Sequence, residues 1–508
     1  MSTKLTRRDF LKASGVALGG LTLGGVVAGT GTGATPATQQ CSNNGCNYPV
    51  DPASTQRYSY PDTLRSFTPD MQPDLAADEM RITFLGTASP PSRRAQRTMS
   101  IFIEVGPWMP DPGHGFGKAK DSFVFDCGAG CLANYYAMGI TASRMDKIFL
   151  SHLHADHMSE LMMIYGFGPT SDRKWPLYIW GPSPSGLENP GGRPRYYDDG
   201  LHAFFSHFRE AMRWHTEAFS FQETTYLDYH VPTQKEWNTP VALKPVGDDD
   251  ARDSYAIVPI ELDWRKIGLD RRGSPDYTNI AYENNGVRIT HFPVVHNRRG
   301  SMGYKLEWNG LSMIYASDTA PETVSIQQAC NGGKGVDVFI HEMTSPPEVW
   351  AMKNMGLPFP DYSVPGFSQV VDGVAKSAKG FGHTTQGAFG YLLSQMDPRP
   401  QLAVPTHFLV ADDTVECAMK SVRKHFPKGS YPEFGKDIIW PADLMVLKVR
   451  KGKPPRIEQF MGEVSDYTFA PPQNNYTPLA APKYGLTAQQ DPTNLIQPGA
   501  DTYCDNGY

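Results

Sequence analysis

The stretch Leu150-Ser-His152-Leu-His154-Ala-Asp156-His157-Met158 constrains this chain more than any other feature. Lys147-Ile-Phe-Leu150 leads into it as a strand, and an apolar helical pattern leaves it. Side chains alternate along an extended segment, so His152 and His154 project to the same side. Asp156 and His157 fall at the start of the following helix and point in different directions. The first pair can therefore hold one metal ion and the second pair another. Imidazole and carboxylate ligands suit zinc, manganese or iron.

The rest of the chain has to build a frame for that loop. Short β-rich runs occur at Arg81 to Gly86, Ser100 to Val105, Ser122 to Phe125, Lys147 to Leu150 and Leu177 to Trp180. Two hairpins follow, with turns at Asn285-Gly286 and Asn309-Gly310, dipeptides suited to the positive φ angles of tight turns. Val336 to Ile340, Leu402 to Val404 and Leu444 to Val449 complete the strands. Helical patterns lie between them at Met158 to Tyr165, Ser368 to Ala378, Thr385 to Gln395 and Val415 to His425. Such an order predicts an α/β protein with sheets covered by outer helices. Residues 183–250 break the alternation as an insertion with a helix-like aromatic segment from Leu201 to Phe221. His202, His207 and His215 are expected there to pack with Phe204, Phe205, Phe208 and Trp214, as a lid or a contact between copies of the chain.

Both ends differ from this middle. Thr6-Arg7-Arg8-Asp-Phe-Leu-Lys12 and the mild Gly-rich run after it read as a twin-arginine signal over residues 1–30. This implies the twin-arginine export machinery as a partner and a periplasmic or secreted protein. An extended lead-in follows over 31–79, the main domain over 80–450, and an extended tail over 451–508. No run of eighteen apolar residues occurs beyond the N-terminal region, so no membrane span is expected in the mature form. A net charge of −6 over 508 residues argues against a chain that lives on nucleic acid. Among the seven cysteines, Cys41, Cys46 and Cys504 could tie down a terminus, whereas Cys127, Cys131, Cys330 and Cys417 read as small buried side chains.

The His-x-His-x-Asp-His pattern resembles the signature of the metallo-β-lactamase superfamily. Phe84-Leu-Gly-Thr87 with Arg97, Phe125-Asp-Cys-Gly-Ala-Gly130, His341-Glu-Met-Thr344 and Gly382-His-Thr-Thr385 resemble its ribonuclease Z branch. A narrower likeness is to exported proteins named for a guanitoxin-biosynthesis metallo-hydrolase. The resemblance implies a four-layered αβ/βα sandwich with the inserted, partly helical segment. It also implies two divalent metal ions, zinc first and manganese or iron as alternatives. His152, His154 and His296 would hold one, and Asp156, His157 and His407 the other, with Asp318 bridging. His296 is preferred to its neighbour His291 because the run Gly303 to Glu307 follows it.

By the same resemblance Glu342 orients His383, which protonates a leaving oxygen, and Asp156 counts among the catalytic residues as well as the ligands. The implied activity is hydrolysis of a phosphodiester or related oxyester by a metal-bridging hydroxide. Transfer RNA is disfavoured as the substrate, because the insertion lacks basic character and the ending after His407 departs from the family. A small-molecule ester is expected instead. Competing readings are an arylsulfatase or lactonase on the same fold, an iron-dependent oxygenase, and a non-catalytic metal-bearing binding protein. Arg93 and Arg94 match no family position and read as solvated.

Overall fold

The computed structural model describes residues 75–459, apart from 91–92, 94, 111–116, 221–253, 411, 428 and 430. The expected signal at Arg7-Arg8, Cys41, Cys46, Cys504 and the end of the insertion lie outside the described residues. All described residues belong to one unit, Asn47–Tyr508.

The described strands are β1 (Glu79–Gly86), β2 (Ser100–Val105), β3 (Asp121–Phe125), β4 (Lys147–Phe149), β5 (Leu177–Pro182), β6 (Ile257–Leu262), β7 (Ile280–Asn284), β8 (Val287–Pro293), β9 (Met302–Trp308), β10 (Leu311–Tyr315), β11 (Val338–Glu342), β12 (Leu402–Thr406), β13 (Val446–Arg450) and β14 (Arg456–Gln459). The helices are α1 (Cys131–Ala137), α2 (Ala155–Met158), α3 (Leu161–Ser171), α4 (Leu201–Ser220), α5 (Thr323–Cys330), α6 (Pro347–Asn354), α7 (Phe367–Gly380), α8 (Gln386–Ser394) and α9 (Asp412–Arg423). One sheet runs β14-β13-β1-β2-β3-β4-β5-β6 and the other β12-β11-β10-β9-β8-β7.

Strand periodicity builds the layers. Ile101 and Ile103 of β2 join Phe125, Tyr304, Met313 and Ile340 in a core shared by the two sheets. Phe102, between them, turns the other way, towards Leu132 and Tyr135 of α1, Ile164 of α3 and Phe205 of α4. In the second sheet Ile314, Phe339 and Ala403 likewise face outward, onto Val324 of α5, Phe389 of α8 and Met419 of α9. The order is helices, sheet, sheet, helices: a four-layered α/β sandwich.

Several boundaries differ from the expected ones. β6, Ile257-Val-Pro-Ile-Glu-Leu262, pairs parallel with β5 at the sheet edge, where Pro259 is tolerated. Beyond Lys451 the chain adds the edge strand β14 against β13. Trp214 does not pack with the aromatic face of α4; it is 85% exposed. Cys417 is buried as expected and is also disulfide-bonded. Among the described residues no helix is long and apolar enough to cross a membrane.

Candidate metal centre

Five strands deliver the site from their C-terminal ends. His152 and His154 follow β4, His296 follows β8, Asp318 follows β10, Glu342 ends β11 and His407 follows β12. Asp156 and His157 sit on the single turn α2, with His154 in extended conformation as its N-terminal boundary. This turn is clamped from beneath: Cys127 N donates to His157 O at 2.6 Å and Glu160 N donates to Cys127 O at 3.0 Å. Gly128 permits the approach, since a Cβ there would lie 2.1 Å from Asp156 O.

Two sets of donor atoms converge. In the first, His154 Nδ1 lies 2.9 Å from His152 Nε2 and 3.2 Å from His296 Nε2. In the second, His407 Nε2 lies 3.2 Å from Asp156 Oδ2 and 3.4 Å from Asp318 Oδ2, and His157 Nε2 lies 3.3 Å from Asp318 Oδ1. Asp318 also reaches the first set, with Oδ2 3.8 Å from His296 Nε2. Within each set the ligand atoms lie within 4.8 Å of one another. His157 Nε2 and Asp318 Oδ1 are buried and make no hydrogen bond. Such orphaned atoms are costly unless a cation satisfies them, so the residues fit a pair of divalent metal ions.

The outward nitrogens of these histidines are held as well. His157 Nδ1 is 2.8 Å from Asp126 Oδ2, His152 Nδ1 is 3.0 Å from Ser151 Oγ, and His296 Nδ1 is 3.1 Å from Gly382 O. Partners of this kind fix ring orientation and sharpen metal affinity. Asp126 is the hub. Fully buried, it also accepts from Ser151 N and Oγ at 2.8 and 2.7 Å and from the Tyr315 hydroxyl at 2.7 Å. Sequence reasoning quoted Asp126 within a motif but gave it no role; its place directly after a strand was the available signal.

Asp126, Ser317 and His407 all take left-handed backbone conformations, with φ of 55°, 53° and 56°. Each such non-glycine residue costs on the order of 1–3 kcal/mol and persists only where its surroundings over-determine it.

Charge divides the two sets. Burial pushes His152 well below its usual range, with the neighbouring His157, His296 and His154 adding to it. Burial likewise lowers His154 and takes His296 to about 4. At His157 burial works the same way, but Asp318, Asp156 and Asp126 outweigh it and raise the imidazole well above normal. His407, facing Asp318 and Asp156, is raised to about 10 against the pull of burial. Burial would raise Asp156 and Asp318, yet the facing histidines hold both below the ordinary carboxylate range.

His383 stands at the rim, 20% exposed, with Nδ1 2.8 Å from Glu342 Oε2. Burial opposes its charged form, but Glu342 prevails and raises it. Glu342 itself is held low by His383 against the effect of burial. The same carboxylate accepts from Thr319 N and lies 3.4 Å from His407 Nδ1, so it serves more than the expected relay.

Matches to curated proteins include ribonuclease Z enzymes. That of Mycobacterium bovis is 23% identical over 264 residues, 52% of this chain and 69% of the relative. That of Methanothermobacter thermautotrophicus is 34% identical over 104 residues, 20% of this chain and 29% of the relative. Over these stretches the chain is similar in sequence to ribonuclease Z. Solved structures similar to this chain include the metallo-β-lactamase fold protein YhfI of Bacillus subtilis, at 13% identity and a TM-score of 0.41, covering 73% of this chain and 100% of that one. No family model matches.

All seven expected ligands, His383 and Glu342 meet in one place. The rival His291 does not, since its Nε2 sits 3.0 Å from Asp263 O. Arg93 is not solvated: it is buried, and Nη2 donates to Val410 O at 2.5 Å. Arg94 lies outside the described residues.

Proposed function

We propose that this chain is a binuclear metal-dependent hydrolase that cleaves an oxyester, with small phosphodiesters as the substrate class. The supporting observation is the His383–Glu342 pair, 2.8 Å apart, beside two complete ligand sets. When bound, two divalent ions supply a water acidic enough to attack near neutral pH (~7) and neutralise charge gathering on the scissile group. His152, His154 and His296 offer neutral nitrogens on one side; Asp156, His157 and His407 close the other, and Asp318 is shared.

With Nδ1 engaged by Glu342, Nε2 of His383 is the atom left to give up a proton. Against the effect of burial, Glu342 favours the charged imidazolium. As the bond to the leaving oxygen breaks, that oxygen takes the His383 proton and departs as an alcohol, while oxygen from water takes its place. A proton donor matters most for poorly acidic leaving groups, which favours phosphorus or sulfur oxyesters over lactams. The net charge of −6 weighs against a polynucleotide substrate and for a small one.

The test is to load purified protein with metal and compare rates on alkyl and nitrophenyl phosphodiesters, aryl sulfates, lactones and a β-lactam. Turnover of phosphodiesters, with His383→Ala most damaging on the alkyl ester, is expected. Activity confined to lactone or lactam overturns the reading.

A further inference from the structure

The mechanism makes no use of Gln96, yet this side chain is fully buried and every polar atom it owns is engaged near His407. Its Oε1 accepts from Val410 N at 2.9 Å, and its Nε2 donates to Phe408 O at 3.1 Å and to Thr87 Oγ1 at 2.6 Å. Thr87 Oγ1 donates in turn to Asp443 Oδ1 at 2.8 Å. Phe408 O can only accept and Val410 N can only donate. That order of donors fixes which end of the amide faces Phe408 and which faces Val410.

The segment it grips begins at a ligand. His407 has a φ of 56°, a conformation a histidine keeps only under constraint. The three N–H groups after it are all tied: Phe408 N to Thr87 O at 3.1 Å, Leu409 N to Ser345 Oγ at 3.0 Å, and Val410 N to Gln96. Gln96 is the side chain that holds this segment at two points, one carbonyl and one N–H. It arrives from the loop after β1, so it also ties the first sheet to the strand end of the second.

We infer that Gln96 is a positioning residue for the second metal site, holding His407 in its ligating conformation without touching metal or substrate. This rests on reading Asp156, His157, Asp318 and His407 as a metal site. Losing such a support costs typically 10- to 100-fold in metal affinity. The effect should be local: His152, His154 and His296 receive nothing from Gln96, so the first site should keep its affinity.

The experiment is a cobalt(II) titration of the metal-free full chain against a competing chelator, followed by the visible absorption of the bound ion. Wild type, Gln96→Leu and Gln96→Glu are compared, with far-ultraviolet circular dichroism confirming the fold. Wild type should take two ions. Both variants should bind the first ion as wild type does and the second 10- to 100-fold more weakly, with the glutamate, which keeps an acceptor for Val410 N, the milder where Gln96→Leu also folds. Unchanged affinity at both sites overturns the inference, and so does an equal loss at both. A wild type that takes only one ion overturns the two-site reading itself, and is told apart because it shows before any substitution is made.

Discussion

The two ligand sets sit side by side but are made of different material. The first is three imidazoles whose charged forms burial disfavours; the second is two carboxylates and two imidazoles that favour one another's charged forms. A metal entering the first set meets neutral nitrogens. A metal entering the second must displace protons from His157 and His407. The lesson is that a buried site can be kept ready in two ways, by removing charge or by balancing it. The balanced one needs the heavier scaffold, which here is Asp126, Glu342 and the left-handed His407.

The largest way to break this comparison is to remove a ligand. His407→Ala should lose second-site metal and with it nearly all turnover, while one equivalent remains in the first site by elemental analysis. Loss of both metals would mean the sets are one cooperative unit.

Next in size, His383→Ala should lower kcat by about 10²- to 10⁴-fold with both metals retained. Its defect should shrink on nitrophenyl esters. Glu342→Gln should not simply reproduce it, because Glu342 also lies 3.4 Å from His407 Nδ1; some loss of second-site affinity should accompany the slower turnover.

Asp126→Asn sharpens the contrast further. With His157 Nδ1 2.8 Å from the carboxylate, the amide should weaken second-site metal by about 10- to 100-fold, with a smaller loss at the first set, which Asp126 reaches only through Ser151 Oγ and His152.

The smallest effect is in pH. His296 is already neutral above about 4, so first-site affinity should be flat through neutral pH. His407 in the metal-free protein stays charged until about 10, so second-site affinity should climb as pH rises toward that value. Calorimetry in buffers of different ionisation enthalpy should record proton release for the second ion alone. Equal release for both would dissolve the distinction.

How much of this was legible depended on how far apart the partners lie in sequence. His152, His154, Asp156 and His157 fall within one loop, so their geometry follows from strand and helix periodicity alone. Strands such as β2 carried their alternation openly, and Asn285-Gly286 and Asn309-Gly310 announced two hairpins. β6 was hidden because Pro259 and four half-buried positions blur its pattern. α5 was hidden because its start is marked by Glu322, which accepts from Val324 N and Ser325 N, rather than by the serine, threonine or aspartate expected of a cap. Asp126 offered only its place after a strand and Gln96 offered nothing, since Tyr315 lies 189 residues from the first and Val410 lies 314 from the second. Arg93 was misread because its acceptor, the carbonyl of Val410, is 317 residues away.

Those separations also set a clock. His154 and His296 are 142 residues apart, whereas Asp156 and His407 are 251 apart. On the ribosome the three imidazoles of the first set are all made while β11, β12 and His407 are still unsynthesised, an interval of several seconds at about 5–20 residues per second. The neutral cluster is thus the earlier one to be chemically complete during synthesis, and the charged one is sealed last.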